Sequence, residues 1–293
     1  MTFSCKQIGV LAILGASIAW AVEPILAKLS YITTGFIQTS ATRALFVTIV
    51  GLIYCVIRGG GNLKVSPRQL SALFYLAFAG TLFADLMYLL ALAHIPVINA
   101  VLIGHLQPLF IVIMGFFWLK EDKLTAFDYT GIGFMVLAGL FVTTRNLENL
   151  SKLQLGTFYD LLALSATFAW ATTGIVARKY LREVNAGTVV FYRFSLSTAV
   201  FMIYLLLTSL KIFSNVYQIL IGITVGAGYI LYYEGLKRIK AAQVSALELS
   251  TPFFASLLGF FILGERVTLM QILGIFLLCV GIFFLSAKEK EIE

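Results

Sequence analysis

Charge is scarce in this chain. Asp, Glu, Lys and Arg make up 12% of its 293 residues, against roughly 25% in a soluble globular domain. Histidine is scarcer still, with His94 and His105 alone. Neither has a neighbour at ligand-like spacing, so no metal centre is expected. The three cysteines, Cys5, Cys55 and Cys279, are odd in number and far apart, which argues against a disulfide framework or a zinc cluster. A phosphate-cradling GxxxxGK[ST] loop is missing, as is the GxSxG elbow of a serine hydrolase, so neither a primary pump nor that hydrolase class fits. No cofactor and no enzyme activity are expected.

What is present is apolar. Hydrophobic residues make up 60% of the chain, more than one soluble core could hide, so lipid is the expected solvent. The formal charge of +7 comes from basic residues set between the apolar runs, not along one stripe. That pattern suits a membrane surface and not nucleic acid. The first run, from Gly9 past Trp20 and Glu23, lacks a small-residue cleavage site and reads as a retained helix.

Ten runs are long enough to cross a bilayer, at roughly 9–31, 35–58, 68–91, 97–119, 125–145, 155–180, 186–209, 214–236, 241–263 and 267–287. They must be helices, because an open strand would leave its backbone groups unpaired in hydrocarbon. Of the basic residues, 14 fall on one side of this arrangement and 5 on the other, with Arg43 and Arg193 inside spans. The positive-inside bias then puts both termini in the cytoplasm of a cell whose plasma membrane holds the protein.

The chain also repeats itself. Ala19-Trp20-Ala21 matches Ala169-Trp170-Ala171 and Arg43 matches Arg193 at an offset of 150, while Tyr88 matches Tyr232 and Pro108 matches Pro252 at an offset of 144. Glu121, in Lys120-Glu121-Asp122, stands against Glu265, in Gly264-Glu265-Arg266, and each is expected to open the helix that follows it, where a carboxylate favours the positive helix end. Two repeats are expected, 1–148 and 149–293. Each holds five helices, an odd number, so the second enters the membrane inverted. The expected fold is an all-α membrane protein of ten transmembrane helices in two inverted five-helix repeats, with a site at the repeat interface near the midplane.

The paired Ala-Trp-Ala segments, the two arginines and the hairpin Leu263-Gly264-Glu265 followed by Gly274 and Gly281 resemble the drug/metabolite transporter superfamily, EamA type. The resemblance covers about residues 9–285. It implies a ten-helix carrier of small metabolites and leaves the substrate open.

Ionisable residues inside spans are costly, so they usually face the bundle interior and find partners. Here they are Glu23, Arg43, Asp85, His105, Arg193, Glu234 and Glu248, with Asp160 nearer a helix end. Arg43 is expected to pair with Glu23 or Asp85, and Arg193 with Glu248 or Glu234, as structural ion pairs or substrate contacts. Glu234 also stands four residues before Arg238 and could anchor a helix end instead. His105 reads equally as a core histidine or a proton carrier. Glu23, followed by Pro24, is expected to interrupt its helix and serve as a proton or ammonium site. Trp20, Tyr88, Trp170 and Tyr232 occupy repeat-related positions nearest the expected cavity. The substrate-binding set is therefore Trp20, Glu23, Arg43, Asp85, Tyr88, His105, Trp170, Tyr232 and Glu248. The expected activity is alternating-access export or exchange of a small polar or amphipathic metabolite such as an amino acid. Sugar phosphates or nucleotide-type metabolites, lipid flipping and a receptor role are the alternatives.

Overall fold

The structure is a computed structural model. It describes residues 5–114, 126–152, 156–239, 244, 247, 248 and 250–287. The first-repeat turn Lys120-Glu121-Asp122 lies outside the described residues. Among them the regular structure is all helical, with no strand.

Six helical stretches are long and apolar enough to cross a bilayer: Cys5–Ser30, Phe36–Arg58, Pro67–His94, Phe158–Tyr180, Ala186–Leu207 and Val216–Leu236. Shorter apolar helices at Val97–Ile111, Tyr129–Thr144, Ser250–Leu263 and Leu269–Phe284 fall where the other four spans are expected. We name the elements α1 (Cys5–Ser30), α2 (Phe36–Gly59), α3 (Pro67–Tyr75), a π-helical stretch (Leu76–Asp85), α4 (Leu86–His94), α5 (Val97–Gly104), α6 (Gln107–Met114) and α7 (Ala126–Thr144). A short α8 (Leu147–Ser151) leads to α9 (Phe158–Tyr180), α10 (Ala186–Leu207), α11 (Val216–Leu236), α12 (Ser250–Leu263) and α13 (Leu269–Ala287).

Helix starts are written in local polar chemistry. Ser66 and Gln69 open α3, Thr157 and Asp160 open α9, and Asn215 and Gln218 open α11 as reciprocal caps. Each satisfies backbone donors that the first turn leaves orphaned. Proline acts differently in two helices. Pro24 leaves α1 unbroken, so the expected interruption at Glu23 does not occur. Pro108 cannot donate to the carbonyl of Gly104, and the chain turns at His105 and Leu106 between α5 and α6.

The helices pair across the middle of the sequence. α1 lies along α11, α2 along α10, and α3, the π-helical stretch and α4 along α9, while α7 lies along α13. Glycine permits the closest approaches. A Cβ at Gly187 of α10 would sit 2.6 Å from the Cys55 amide nitrogen and 2.7 Å from the Gly51 carbonyl oxygen of α2. Midway along that contact, Thr48 Oγ1 and Thr198 Oγ1 lie 3.1 Å apart. One large apolar core runs through α1, α2, α4, α5, α9, α10 and α11.

Candidate functional site

Four charges meet inside this core. The guanidinium of Arg43 on α2 stands 2.8 Å from Glu23 Oε1 on α1 through Nε, and 2.9 Å from Asp85 Oδ2 through Nη1. The Nε–H does not point along its short contact with Glu23, so that contact is an ion pair, whereas Nη1 donates a hydrogen bond to Asp85. Arg193 on α10 reaches the other oxygen of the same acid, with Nη2 3.5 Å from Asp85 Oδ1. Its Nε donates to Thr81 Oγ1 at 3.0 Å. Trp170 Nε1 on α9 also donates to Asp85 Oδ1, at 2.8 Å. All four charged residues are buried, Arg43, Asp85 and Arg193 to 3% exposure and Glu23 to 8%. Charges taken this far from water persist when paired and hydrogen-bonded.

The π-helical stretch makes the shared contact possible. Its wider turn carries Thr81 and Asp85 on the face toward α10, and such turns recur at functional sites. Gly80 leaves room for the guanidinium: a Cβ there would sit 2.9 Å from Arg193 Nη2 and 3.1 Å from Cζ. Aromatic rings close the other side. Arg193 Cζ lies 4.6 Å from the Tyr229 ring centroid and 5.2 Å from that of Phe194, and Arg43 lies 5.6 Å from Phe194. Ring faces carry negative potential, so these contacts add to the ion pairs.

Two aromatic pairs flank the cluster and have nearly the same geometry. Trp20 and Tyr232 have centroids 5.2 Å apart at 55°, and Tyr88 and Trp170 are 5.1 Å apart at 53°. Each pair joins a residue before position 150 to one after it. Trp20, Trp170 and Tyr232 keep partial exposure, as do His105 and Glu248. The ring of His105 faces two carbonyl oxygens, Val101 O from Nδ1 at 2.7 Å and Glu248 O from Nε2 at 3.2 Å. The Glu248 carboxylate has no ion partner among the described residues, and it lies within electrostatic reach of the Tyr232 hydroxyl.

Several sequence expectations need correction. Arg193 pairs with neither Glu248 nor Glu234; its acid is Asp85, contributed by the other half of the chain. Glu234 stands apart from the cluster, 2.5 Å from Arg238 Nη1 and 3.7 Å from Lys237 Nζ at the end of α11. It anchors that helix end by an i,i+4 contact. The expected partner of Arg43, Glu23 or Asp85, is both acids at once. Glu265 does not serve the helix that follows it: both its oxygens take the Val97 amide, at 2.9 Å each, and so cap α5. Its place near a positive helix end stands, but the helix is a distant one.

Sequence reasoning passed over Gly80, Thr81, Phe194 and Tyr229. Tyr229 had a signal, since it lies at the offset of 144 from Asp85. Where the first half has a carboxylate the second has a phenol, which is why the two arginines share one aspartate. Gly80 and Thr81 carried no signal, because nothing in their local sequence announces a π-helical turn.

Comparison with known proteins agrees with this architecture. A protein of known crystal structure, 18% identical, superposes with a TM-score of 0.67 over 98% of this chain and 99% of its own, a likeness that concerns the fold. A protein of Escherichia coli (strain K12) named as an uncharacterized inner membrane transporter is 27% identical over 97% of this chain and 92% of its own length. A Methanothermobacter thermautotrophicus protein named as an uncharacterized transporter is 23% identical, over 80% of this chain and 69% of its own. The sequence model of the EamA-like transporter family matches residues 7–144 and 157–287. The chain is therefore an integral membrane protein and belongs to the EamA-like transporter family.

Proposed function

We propose that this transporter is a secondary carrier that exchanges a small zwitterionic metabolite, of the amino-acid class, by alternating access between two inverted five-helix repeats, 1–148 and 149–293. The observation that carries the reading is the neutral, shared charge cluster. Two guanidinium groups and two carboxylates lie together, and Asp85 bridges arginines from both halves. A phosphate dianion would call for unneutralised cations, and this cluster's formal charges cancel, so sugar phosphates and nucleotides fit less well. A zwitterion adds no net charge to such a centre. Its carboxylate can compete for Arg43 or Arg193, and its ammonium for Glu23 or for Glu248, which has no ion partner among the described residues.

The repeat relation supports a two-state mechanism. Thr48 and Thr198, which are 150 residues apart, touch each other, as expected where a two-fold axis crosses α2 and α10. The matching Trp20–Tyr232 and Tyr88–Trp170 pairs lie on the helices that would move past one another. Inverted repeats let one set of contacts be exchanged for its mirror while the site stays near the midplane. No binding or flux need involve the nearly uncharged α7 and α13, which we assign to contact and scaffold roles.

The first test is thermal stabilisation of purified protein by metabolite classes. A ligand present at a hundred times its Kd stabilises the folded state by about 2.7 kcal/mol. Amino acids or close zwitterions should raise the melting midpoint and phosphorylated sugars should not. Stabilisation by phosphorylated compounds alone would reject the substrate class.

A further inference from the structure

His105 has a bonding pattern that a neutral imidazole cannot satisfy. It sits at the break between α5 and α6, about 12 Å along the helix from Val97 at 1.5 Å per residue. Nδ1 is 2.7 Å from the carbonyl oxygen of Val101, and Nε2 is 3.2 Å from that of Glu248. A carbonyl oxygen only accepts. Neutral imidazole has one N–H and one lone pair, so in either tautomer a ring lone pair would face a carbonyl oxygen. The imidazolium donates from both nitrogens and satisfies both contacts.

We propose that His105 is a proton-binding latch between α5 and the chain at 247–248, closed here in the imidazolium form. When the ring gives its proton to water, one contact loses its hydrogen. The contact within α5 is the shorter and more local, so the link to Glu248 is the one that opens. The proton thus becomes a second ligand of the carrier, biasing the position of the segment that leads into α12. The coupling to transport rests on the carrier reading above; the latch itself does not.

The charged groups around the ring are consistent with this role. α5 packs against α1, α4, α7, α9 and α12. Their acids are Glu23 on α1, Asp85 beside α4, Asp128 on α7, Asp160 on α9, and Glu248 and Glu265 flanking α12. Their cations are Lys6 and Lys28 on α1, Arg145 after α7, Arg178 and Lys179 at the far end of α9, and Arg266 beyond α12. Glu23 and Asp85 are taken by Arg43, Asp160 accepts from Asn99 and Thr157, and Glu265 caps Val97. Glu248 is the acid whose backbone bonds the ring and whose carboxylate has no ion partner among the described residues.

The chain has two histidines, which makes the ring directly observable. Protein labelled with nitrogen-15 histidine, in lipid nanodiscs, gives imidazole signals from His94 and His105, and His94→Gln identifies which is which. His94 is exposed and stacks on Tyr159 at 3.8 Å, away from the cluster. Over about pH 5.5 to 8, the range where histidine changes charge, His105 should pass from two protonated nitrogens to one. Hydrogen-exchange protection of the peptide around 244–252 should fall by about tenfold with that change, as for loss of one charge-assisted hydrogen bond. A ring that stays neutral, or stays charged, across this range would overturn the proposal. So would a ring that titrates while protection of that peptide stays level. No substrate enters the experiment, so its outcome is independent of whether the substrate class is right.

Discussion

Among the described acids, Asp85 alone meets two buried arginines. It takes Arg43 on one oxygen, and Arg193 and Trp170 on the other. Removing one partner of a buried ion pair costs about 3–5 kcal/mol, because the other charge is left uncompensated. Asp85→Asn takes from Arg193 its one acid among the described residues, leaving Thr81 and the rings, whereas Glu23→Gln leaves Arg43 its bond to Asp85. Thermal melts in detergent should therefore rank Asp85→Asn as the more damaging by a wide margin, with Glu23→Gln costing about 1–3 kcal/mol. Equal losses would mean that Asp85 is not the shared partner. Gly80→Ala probes the same point sterically. The added methyl meets the Arg193 guanidinium at 2.9–3.3 Å, and overpacking of this kind costs about 1–3 kcal/mol. An unchanged midpoint would show that the guanidinium can yield. At this scale the sequence named Arg43, Asp85, Glu23, Trp20 and Trp170 as candidates, because charge and indole in apolar runs are conspicuous. It misassigned the partner of Arg193, because that partner arrives from the other half through a turn whose width has no local signature.

At the scale of elements, the close contacts are made where side chains are missing. Gly187 of α10 rests on the backbone of Gly51 and Cys55 of α2, and Gly222 of α11 on Phe46 and the Arg43 carbonyl. Gly274 and Gly281 of α13 likewise rest on α7. Without a hydrophobic force between helices in lipid, such small-residue contacts carry much of the packing. Gly187→Ala must push backbone from backbone, and should lower the melting midpoint by the equivalent of about 1–3 kcal/mol. Gly133→Ala on α7, with nothing within 4 Å of its added methyl, should be neutral or gain up to about 1 kcal/mol from helix propensity. A reversed order would contradict the packing. Span positions were legible from apolar length, and the observed α2, α9, α10 and α11 begin and end within a few residues of expectation. The path of a helix through its prolines was not: Pro24 and Pro108 look alike in sequence, yet only the second coincides with a break.

At the scale of the molecule, the bias of basic residues predicts the orientation, and the proposed exchange rests on where the two halves meet. In a chain whose own three cysteines are replaced, a cysteine at Lys64 should be shielded from an impermeant thiol reagent in intact cells, and one at Glu148 should react. Labelling at Lys64 alone would reverse the orientation. The central claim is that a zwitterionic metabolite is exchanged at the interface of the two repeats, and counterflow tests it most directly. Proteoliposomes are loaded with an unlabelled amino-acid mixture, and entry of trace labelled amino acids is followed against empty liposomes and against Trp20→Ala and Trp170→Ala proteins. The account predicts transient accumulation of label above equilibrium with the native protein, and a loss of at least about tenfold in both variants while each remains folded. Counterflow of phosphorylated sugars without amino acids, or amino-acid counterflow indifferent to both tryptophans, would contradict it.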